Sequence, residues 1–495
     1  MISLDTNIVA VALPSIARSF KADFASVEWI ISAYTLTFAS CLMPAGTGAD
    51  RYGRRRTLVI GLIIFAFASL LCGLSQNVEM LIGARALQGV GAALQLSSAL
   101  AILSNVFQGA ARARAFAFWG SVIGAGVATG PVVGGLITKN FGWVWAFNIN
   151  VPIGIILSLM ALKYLPESRD LESKRLDIAG SMTFSGALFL MTFALISANE
   201  VGWTDARVVA CVLTGLASFI AFFFVEKAQA RPMLDFSIFK NKTFVGSTLG
   251  HLGYAASLMT MFTYIPVFIQ NGLSCDPQTA GLMSLPFALP IILVPKAIES
   301  LLAHRLSGRD LCGIGFLLLT VGLVLMAVGV SAFQYSAIVP GIIIAGTGAG
   351  FLNGEVAKVS MSSIPPERAG MGSGFGGTMR FSGLVIGFAA LGAILYSGVE
   401  SSVSRELPHL SSTTQRALIR MVTNGNFAKA SAKSGVDCPI SVLRASLGTG
   451  YRGMLFSAAG IAGLCAVLSW LLIDAKQTAA VPRGIITEAP VALAD

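Results

Sequence analysis

The segment Gly46 to Gly61 reads GTGADRYGRRRTLVIG, and it decides how the rest of the chain is interpreted. It sets one carboxylate and a run of arginines between two apolar runs, at 29–47 and 58–75. Each run is close to the ~20 residues that a helix needs to cross a bilayer. The segment therefore predicts two membrane-spanning helices joined by a short basic turn.

The composition of the whole chain points to the same class of protein. The chain has 495 residues, of which 55% are hydrophobic and 12% are charged, with a mean hydropathy of +0.76. Soluble domains carry about 25% charged residues, so the excess apolar surface must face lipid. The net charge of +10 does not indicate nucleic-acid binding, because the basic residues lie in short loops and form no continuous face.

Apolar runs of spanning length recur along the chain, and they predict an all-α polytopic membrane protein with fourteen helices. No signal peptide is expected, since the first run lacks a basic start and a small-residue cleavage site. The predicted spans are 1–17, 29–47, 58–75, 80–104, 115–137, 146–165, 178–198, 207–225, 244–269, 279–301, 311–330, 335–357, 372–396 and 451–473.

Loop charge predicts the orientation. Alternate loops carry eighteen basic residues, from Arg51 to Arg368, whereas the short loops opposite carry Arg18, Lys21, Lys139 and Arg207. Basic loops stay in the cytoplasm, so both termini are predicted to be cytoplasmic in a bacterial inner membrane. The long stretch 398–450 then lies outside, as a spacer or a short surface helix.

The chain also repeats itself. The segment LAHRLSGRDLCGIG, Leu302 to Gly315, aligns with the opening segment so that Arg305, Arg309 and Gly315 match Arg51, Arg55 and Gly61. Such repeats indicate two similar helical bundles with a site between them. The predicted domains are a six-helix bundle at 1–165, linkers and an inserted helix pair at 166–243, a second six-helix bundle at 244–473 and a cytoplasmic tail at 474–495.

Cysteines give no sign of a disulfide framework or a metal site. Their number is odd, they form no CxxC pair, and most lie within apolar runs. We expect the cysteines to be small buried hydrophobic side chains, and we expect the protein to bind neither a metal nor a cofactor. The seven are Cys41, Cys72, Cys211, Cys275, Cys312, Cys438 and Cys465.

Five motifs in this order resemble the major facilitator superfamily, and specifically its fourteen-helix drug:proton antiporter branch. They span the N-terminal third of the chain, and the helix pattern extends the resemblance over nearly all of it. The resemblance implies two six-helix bundles plus two inserted helices. The motifs are LDTNIVAVALP (Leu4 to Pro14), GADRYGRRR (Gly48 to Arg56), ARALQGVGAA (Ala84 to Ala93), GSVIGAGVATGPVVGG (Gly120 to Gly135) and WVWAFNINVPIG (Trp143 to Gly154).

Two of these motifs predict moving parts. Asp50, Arg51, Gly53, Arg54 and Arg55 lie at a helix end, where charges pair with each other and with a neighbouring helix terminus. We expect them to act as a cytoplasmic gate; setting topology alone is the alternative.

Small residues four apart let the fifth span pack closely against a helix of the other bundle, and the proline in the fifth span loosens the fifth span locally. These residues are Gly126, Gly130, Pro131, Gly134 and Gly135.

Charges within the spans carry the chemistry, because lipid penalises an uncompensated charge by at least ~2.5–3.5 kcal/mol. Asp5 is the expected proton-coupling carboxylate, a role that the resemblance also implies. Arg85 is its counter-charge, although rise per residue places the two roughly 10 Å apart in depth. The two groups are therefore expected to be coupled through water or by a shift between states. The alternative is that Arg85 only ties neighbouring helices together. Glu355 is expected at similar depth, as a second protonation site or for recognition of a cationic substrate.

A hydrophobic substrate pocket should contain large, soft side chains with a few polar groups. Such side chains also pack between helices, and Gln95 fits a helix–helix hydrogen bond equally well. Lys296 and Glu299 share a helix face and are able to neutralise each other. The pocket candidates are Gln95, Trp29, Tyr34, Tyr264, Lys296 and Glu299.

Transport of a small organic molecule is the function that these features favour. The resemblance implies export driven by proton antiport with alternating access; a dedicated metabolite exporter or importer is the alternative. A membrane enzyme or receptor-like scaffold is the competing class, but the chain contains no HExxH, GxSxG or Walker sequence, so no enzyme is expected. The expected partners are a small-molecule substrate, protons and lipid, with a periplasmic adaptor protein as a further candidate.

Overall fold

A computed structural model describes the chain except for residues 23, 108, 170–177, 203, 229–235, 303–304, 365–368, 409, 434–438 and 479–495. Within the described part, regular secondary structure is entirely helical, which confirms the all-α class. Eleven helical segments there are long and apolar enough to cross a bilayer. They become twelve if α2, which bends by 52° near Pro44, counts as one span.

The first bundle contains seven helices. They are α1 (Ile2–Phe20), α2 (Phe24–Tyr52), α3 (Arg54–Gly73), α4 (Val78–Val106), α5 (Gly109–Phe141), the single turn α6 (Trp145–Asn148) and α7 (Asn150–Tyr164). The helices α1 and α5 fall outside the count of membrane spans, although they are 19 and 33 residues long and pack on each other. The total of fourteen spans stays a prediction.

Two peripheral helices follow, α8 (Ile178–Val201) and α9 (Ala206–Ala228). They pack on each other, and α8 also contacts α2 and the long helix Ala369–Glu406. In α9, only 17% of the most apolar stretch is buried inside the protein, whereas the buried share is 83% in the helical segment Lys242–Asn271. The pair therefore lies at the side of the molecule with α9 facing lipid.

The second bundle is more broken than the first. It comprises α10 (Lys242–Tyr254), a π-helical turn (Ala255–Met259), α11 (Met261–Asn271), α12 (Pro277–Met283), α13 (Leu285–Leu301), α14 (Gly308–Gly329), α15 (Tyr335–Leu352), α16 (Glu355–Ser362), α17 (Ala369–Glu406) and α20 (Ile440–Leu472). Side-chain caps fix several helix starts: Asp276 accepts from the backbone of Gln278 and Thr279, and Ser307 with Asp310 forms a capping box.

The stretch 398–450 is largely helical. The helices α17 and α20 extend into it, and α18 (Ser412–Thr423) and α19 (Phe427–Lys433) lie between them. Leu418, Ile419 and Val422 of α18 are buried in the main apolar core. The helices α17 and α20 therefore extend beyond the apolar runs predicted at 372–396 and 451–473. An apolar run marks only the hydrophobic part of a helix, and both helices continue into more polar sequence.

The internal repeat has a structural counterpart. The basic loops precede α3 and α14, and the aligned glycines, Gly61 and Gly315, lie at matching crossings. A Cβ on Gly61 would lie 2.8 Å from Leu94 Cβ of α4, and one on Gly315 would lie 2.9 Å from Leu352 Cγ of α15. Close approach at these two points requires glycine, because any larger residue would push the helices apart.

The two bundles meet where α2 packs on α17 and again at the end away from the basic loops. There α5 packs on α12 and α13, and α1 packs on α11. Gln270 donates to the backbone oxygen of Val11 at 2.9 Å, and Lys139 approaches Asp276 at 3.5 Å. We call this the opposite end, in contrast to the basic end that carries Arg54 and Gly308.

Candidate functional site

The most buried ion pair in the described chain joins α1 to α4. Asp5 is 0% exposed and Arg85 is 1% exposed, and the Arg85 Nη1 to Asp5 Oδ2 distance is 3.0 Å. The expectation that the two groups interact only through water or a shift between states is therefore wrong for this structure. The depth gap of roughly 10 Å on which it rested counted backbone rise alone and ignored the length of the arginine side chain.

Two amides complete the surroundings of the Asp5 carboxylate. Asp5 Oδ1 accepts hydrogen bonds from Asn150 Nδ2 at 2.6 Å and from Gln88 Nε2 at 3.1 Å. The Gln88 amide also donates to Ser69 Oγ at 2.8 Å. The carboxylate on α1 is thus held by α4 and α7, with α3 one hydrogen bond further away.

The guanidinium of Arg85 has partners on several sides. Besides Asp5 it donates through Nε to the backbone oxygen of Ile30 at 3.1 Å and through Nη1 to Gln88 Oε1. It lies over the ring of Tyr34, 4.1 Å from the centroid, in a cation–π arrangement. Tyr34 was predicted to line a substrate pocket, and the structure places it in the ion-pair cluster instead.

Gln88 and Asn150 were not predicted as site residues from the sequence. Both lie inside the quoted motifs, and Gln88 follows Arg85 by three residues, on the same helix face. A buried amide in an apolar run is costly unless it is hydrogen-bonded, so each was a detectable signal. We name Asp5, Arg85, Gln88, Asn150 and Tyr34 the Asp5 cluster.

The glycine motif of α5 packs on two sides. A Cβ on Gly134 would lie 2.8 Å from Ile8 Cα of α1, and one on Gly130 would overlap Asn7. Gly126 faces the same helix more loosely, with Leu4 and Ser3 at 3.7 Å from its Cβ position. The expectation that this motif packs only against the other bundle is therefore incomplete, since its main face supports the α1 segment that carries Asp5.

The other side of the same motif does reach the second bundle. A Cβ on Gly135 would overlap the backbone oxygen of Pro277, and a Cβ on Gly281 would overlap that of Pro131. The helices α5 and α12 are therefore in backbone contact at the opposite end.

The predicted gate motif is anchored within the first bundle. Arg54 pairs with Asp50 at 2.7 Å, and the backbone N–H of Arg55 donates to Glu167 Oε1 at 3.1 Å. Gly53 has φ 114°, a backbone conformation that favours glycine, and a Cβ there would displace the Glu167 carboxylate, whose Oε1 lies 2.7 Å away. Arg51 lies beside the ring of Tyr52, 5.5 Å from its centroid. Glu167 was not predicted.

The structure does not bring Glu355 into contact with the Asp5 cluster. Glu355 opens the short helix α16, after a break at Gly354, and pairs with the exposed Lys358 at 3.0 Å. Its Oε1 lies 3.4 Å from the Cβ position of Gly308 at the start of α14. Glu355 therefore lies towards the basic end, past the end of α15 at Leu352, and its part in proton exchange or cation recognition stays a prediction.

Three other pocket candidates lie elsewhere. Gln95 is buried and donates to the backbone oxygen of Gly61 at 3.2 Å, which is the helix–helix hydrogen bond left open by the sequence. Trp29 packs on Phe193 of α8, with ring centroids 5.5 Å apart. Lys296 is exposed on α13, and the side chain of Glu299 lies outside the described part of the chain.

Tyr264 is the pocket candidate that lines a cavity. The cavity lies between the bundles at the opposite end, and Tyr264 donates from its hydroxyl to the backbone oxygen of Phe388 at 3.2 Å. A buried carboxylate on α2, Glu28, lines the same cavity and was not predicted. The available signal was an acid at the edge of an apolar run, directly before Trp29.

Comparison with known proteins gives a consistent result. The family model described as Major Facilitator Superfamily matches residues 1–388. The chain is 33% identical to "Multidrug resistance protein Stp" of Mycobacterium tuberculosis (strain CDC 1551 / Oshkosh) over 414 residues, covering 83% of this chain and 76% of that protein. It is 30% identical to "Riboflavin transporter RibZ" of Clostridioides difficile (strain 630) over 391 residues, covering 79% and 84%.

A solved structure shares the fold. A bacterial homolog of the human lysosomal transporter Spinster, in an inward-facing and occupied conformation, superposes with a TM-score of 0.64 and 16% identity. The match covers 96% of this chain and 95% of the other.

Proposed function

Because the chain belongs to the major facilitator superfamily of membrane transporters, we propose that it exports small organic compounds in exchange for protons. The Asp5 cluster is the observation that carries this proposal. A carboxylate that is fully buried among apolar helices, and held by one cation and two amides, is a group whose charge can be switched by a single proton.

The contacts of Asp5 suggest how a proton would act. When Asp5 is ionised, it balances the charge of Arg85 and accepts from Gln88 and Asn150. A proton on the carboxylate removes the charge and converts one oxygen into a donor. Arg85 then loses its counter-ion, and the amide N–H groups of Gln88 and Asn150 lose part of the acceptor to which they donate. Protonation therefore loosens α1 from α4 and α7.

The glycine motif connects this event to the interface between bundles. The α1 residues Asn7 and Ile8, next to Asp5, pack on Gly130 and Gly134, and the other side of α5 touches α12 of the second bundle. A shift of α1 is thus transmitted to the contact that closes the opposite end. Alternating access requires that this contact open and close.

We propose the basic end as the cytoplasmic end, following the asymmetry in loop charge. In this orientation both termini are cytoplasmic, Asp50 and the arginines around it serve the cytoplasmic gate, and the structure is closed on the outside. Small-molecule substrate, protons and lipid are the proposed partners, and a periplasmic adaptor protein is retained as a further candidate. Glu355 is retained as a second candidate for proton exchange or cation recognition.

A dedicated metabolite transporter is the second candidate function. The specific support is the relative named as a riboflavin transporter, which shares 30% identity over most of both chains. A substrate panel that includes flavins and other metabolites beside drug-like compounds would separate the two functions.

The central test is the variant Asp5→Asn in everted membrane vesicles with an imposed proton gradient. We expect the wild type to accumulate substrate and release protons, and the variant to lose uphill transport while retaining downhill exchange. Asp205→Asn, at an exposed loop pair with Arg207, is the control and should transport normally. Uphill transport by Asp5→Asn at the wild-type level would remove Asp5 from the coupling role.

A further inference from the structure

The helix α17 has a lipid-facing side and an inner side that faces the first bundle. Ile386 is 37% exposed and marks the lipid side. On the inner side Gly377, Arg380 and Phe381 are partly exposed, and the rings of Phe381 and Phe38 of α2 have centroids 4.0 Å apart. Further along the inner side, towards the opposite end, the side chains are buried; these are Leu384, Phe388, Leu391 and Leu395. The space between the bundles is therefore open beside Arg380 and closed beyond it.

Arg380 is a cation within a membrane-spanning helix, and its contacts carry no negative charge. Its Nε donates to Met259 Sδ at 3.2 Å, and its guanidinium carbon lies 5.1 Å from the centroid of the Tyr254 ring. A thioether is a weak acceptor, and a phenol is neutral. Among the described residues these contacts include no carboxylate, so the charge of Arg380 has no counter-ion there.

A histidine of α10 packs on the same part of α17 and supplies no negative charge either. The Nδ1 atom of His251 lies 2.9 Å from the backbone oxygen of Ser247. Since a carbonyl only accepts, Nδ1 carries the hydrogen and donates it. The Nε2 atom lies 3.4 Å from the Cβ position of Gly376, which is one turn of α17 before Arg380. The ring therefore offers an acceptor next to Arg380 and no counter-ion.

The Asp5 carboxylate does not compensate Arg380 in this structure. Arg85, Gln88 and Asn150 bind both of its oxygens, and it is fully buried. A charge within a span is stable when it faces water or meets a partner of opposite charge.

The open side of Arg380 is the side from which an anion would approach. The space beside it leads to the basic end, because the inner side of α17 is closed in the other direction. The basic loops at that end raise the local concentration of anions. An anionic group that reaches Arg380 would supply the counter-charge that the described residues lack.

We propose that Arg380 is the specificity-determining residue of a binding site for organic acids, that is, for compounds that join a carboxylate to an apolar body. The guanidinium binds the carboxylate through two parallel N–H groups, and the apolar body lies against Phe381 on the same helix. The inference rests on the proposed export function and names its substrate class. Arg380 recognises the substrate, whereas the Asp5 cluster exchanges the proton.

The test is equilibrium dialysis of purified protein in a nonionic detergent at neutral pH, with protein-free micelles as the blank. The ligands are a matched pair, 1-naphthoate and the neutral 1-naphthalenemethanol. We expect the wild type to bind the acid more tightly, and Arg380→Gln to lose at least tenfold in affinity for the acid with less than twofold change for the alcohol. Arg380→Lys should be intermediate, because it keeps the charge without the planar fork. Arg416→Gln, which removes an exposed cation of α18, should bind both ligands as the wild type does.

Equal affinity of the wild type for the two ligands would overturn the site, as would a preference for the acid in Arg380→Gln that stays within twofold of the wild type. If Arg380→Gln is not monodisperse in size-exclusion chromatography, Arg380→Met replaces it under the same criterion, since an apolar chain of similar length keeps the packing on Tyr254. Binding needs no proton gradient, so the result is independent of the transport assay with Asp5→Asn. Export stands and this site falls if Asp5→Asn loses uphill transport while the wild type shows no preference for the acid.

Discussion

Arg85 shows how much depends on the geometry of one side chain. Its Nε and Nη1 atoms serve three different acceptors, and its plane lies over Tyr34. Lysine offers a compact charge without the planar fork, so it cannot satisfy the same set of partners. The Asp5 cluster therefore requires arginine and not merely a positive charge.

Arg85→Lys should reduce proton-driven transport by about tenfold or more, because the charge is kept while bonds to Ile30 and Gln88 and stacking on Tyr34 are lost. The measurement is initial substrate uptake in everted vesicles at matched protein levels. Arg207→Lys, at an exposed pair with Asp205, is the control and should retain full uptake. Equal rates in the two variants would show that charge alone is sufficient at position 85.

At the scale of elements, α5 is a helix that packs against other helices on two faces. Gly130 and Gly134 contact α1, while Pro131 and Gly135 contact α12. Because a helix turns by about 100° per residue, glycines four apart share a face and the next residue turns to a neighbouring one. The motif, which the sequence suggested as a single packing stripe, therefore contacts both the α1 segment next to Asp5 and helix α12 of the other bundle.

Gly134→Ala should destabilise the protein by about 1–3 kcal/mol, because the added methyl meets the Ile8 backbone in a packed interface. Thermal unfolding in detergent, followed by tryptophan fluorescence, measures the loss as a lower Tm. Gly83→Ala is the matched control, since a Cβ at Gly83 meets nothing within 4 Å, and alanine is favoured over glycine in a helix by about 1 kcal/mol. A Tm for Gly134→Ala at or above that of Gly83→Ala would contradict the packing argument.

At the scale of the whole molecule, the bundles are joined at the opposite end by backbone contact between helices and by α18, whose C-cap residue Asn424 bonds to the first bundle. Asn424 reaches Ala22, Gln270 reaches Val11, and Lys139 reaches Asp276. The helix α18 packs on α17 and α20 of the second bundle, so we expect it to move with that bundle. Opening this end in an export cycle must break the contact between Asn424 and Ala22.

Cysteines at both positions, Ala22→Cys and Asn424→Cys, should therefore lock the transporter when they are oxidised. In a background in which the seven native cysteines are serine, oxidation should abolish vesicle uptake, and a reductant should restore it. Each single cysteine variant should be insensitive to oxidant. Uptake that persists after mass spectrometry confirms the crosslink would show that this contact stays closed during transport.

The sequence by itself determined the fold class, the family and most helix positions. Hydropathy is a property of local runs, and lipid forces each run to satisfy its own backbone hydrogen bonds as a helix. The same reasoning found Asp5 and Arg85, because a charge in an apolar run is visible without knowing what it touches.

Only the tertiary structure decided which of those charges meet. It joined Asp5 to Arg85, Gln88 and Asn150, separated Glu355 from them, and moved Tyr34 from a substrate pocket to the ion-pair cluster. It also placed the end of α18, at Thr423, beside a cavity lined by Glu28. Contacts between distant segments depend on side-chain length, helix rotation and amphipathic packing beyond the bilayer, and none of these is encoded in the length or polarity of a single run.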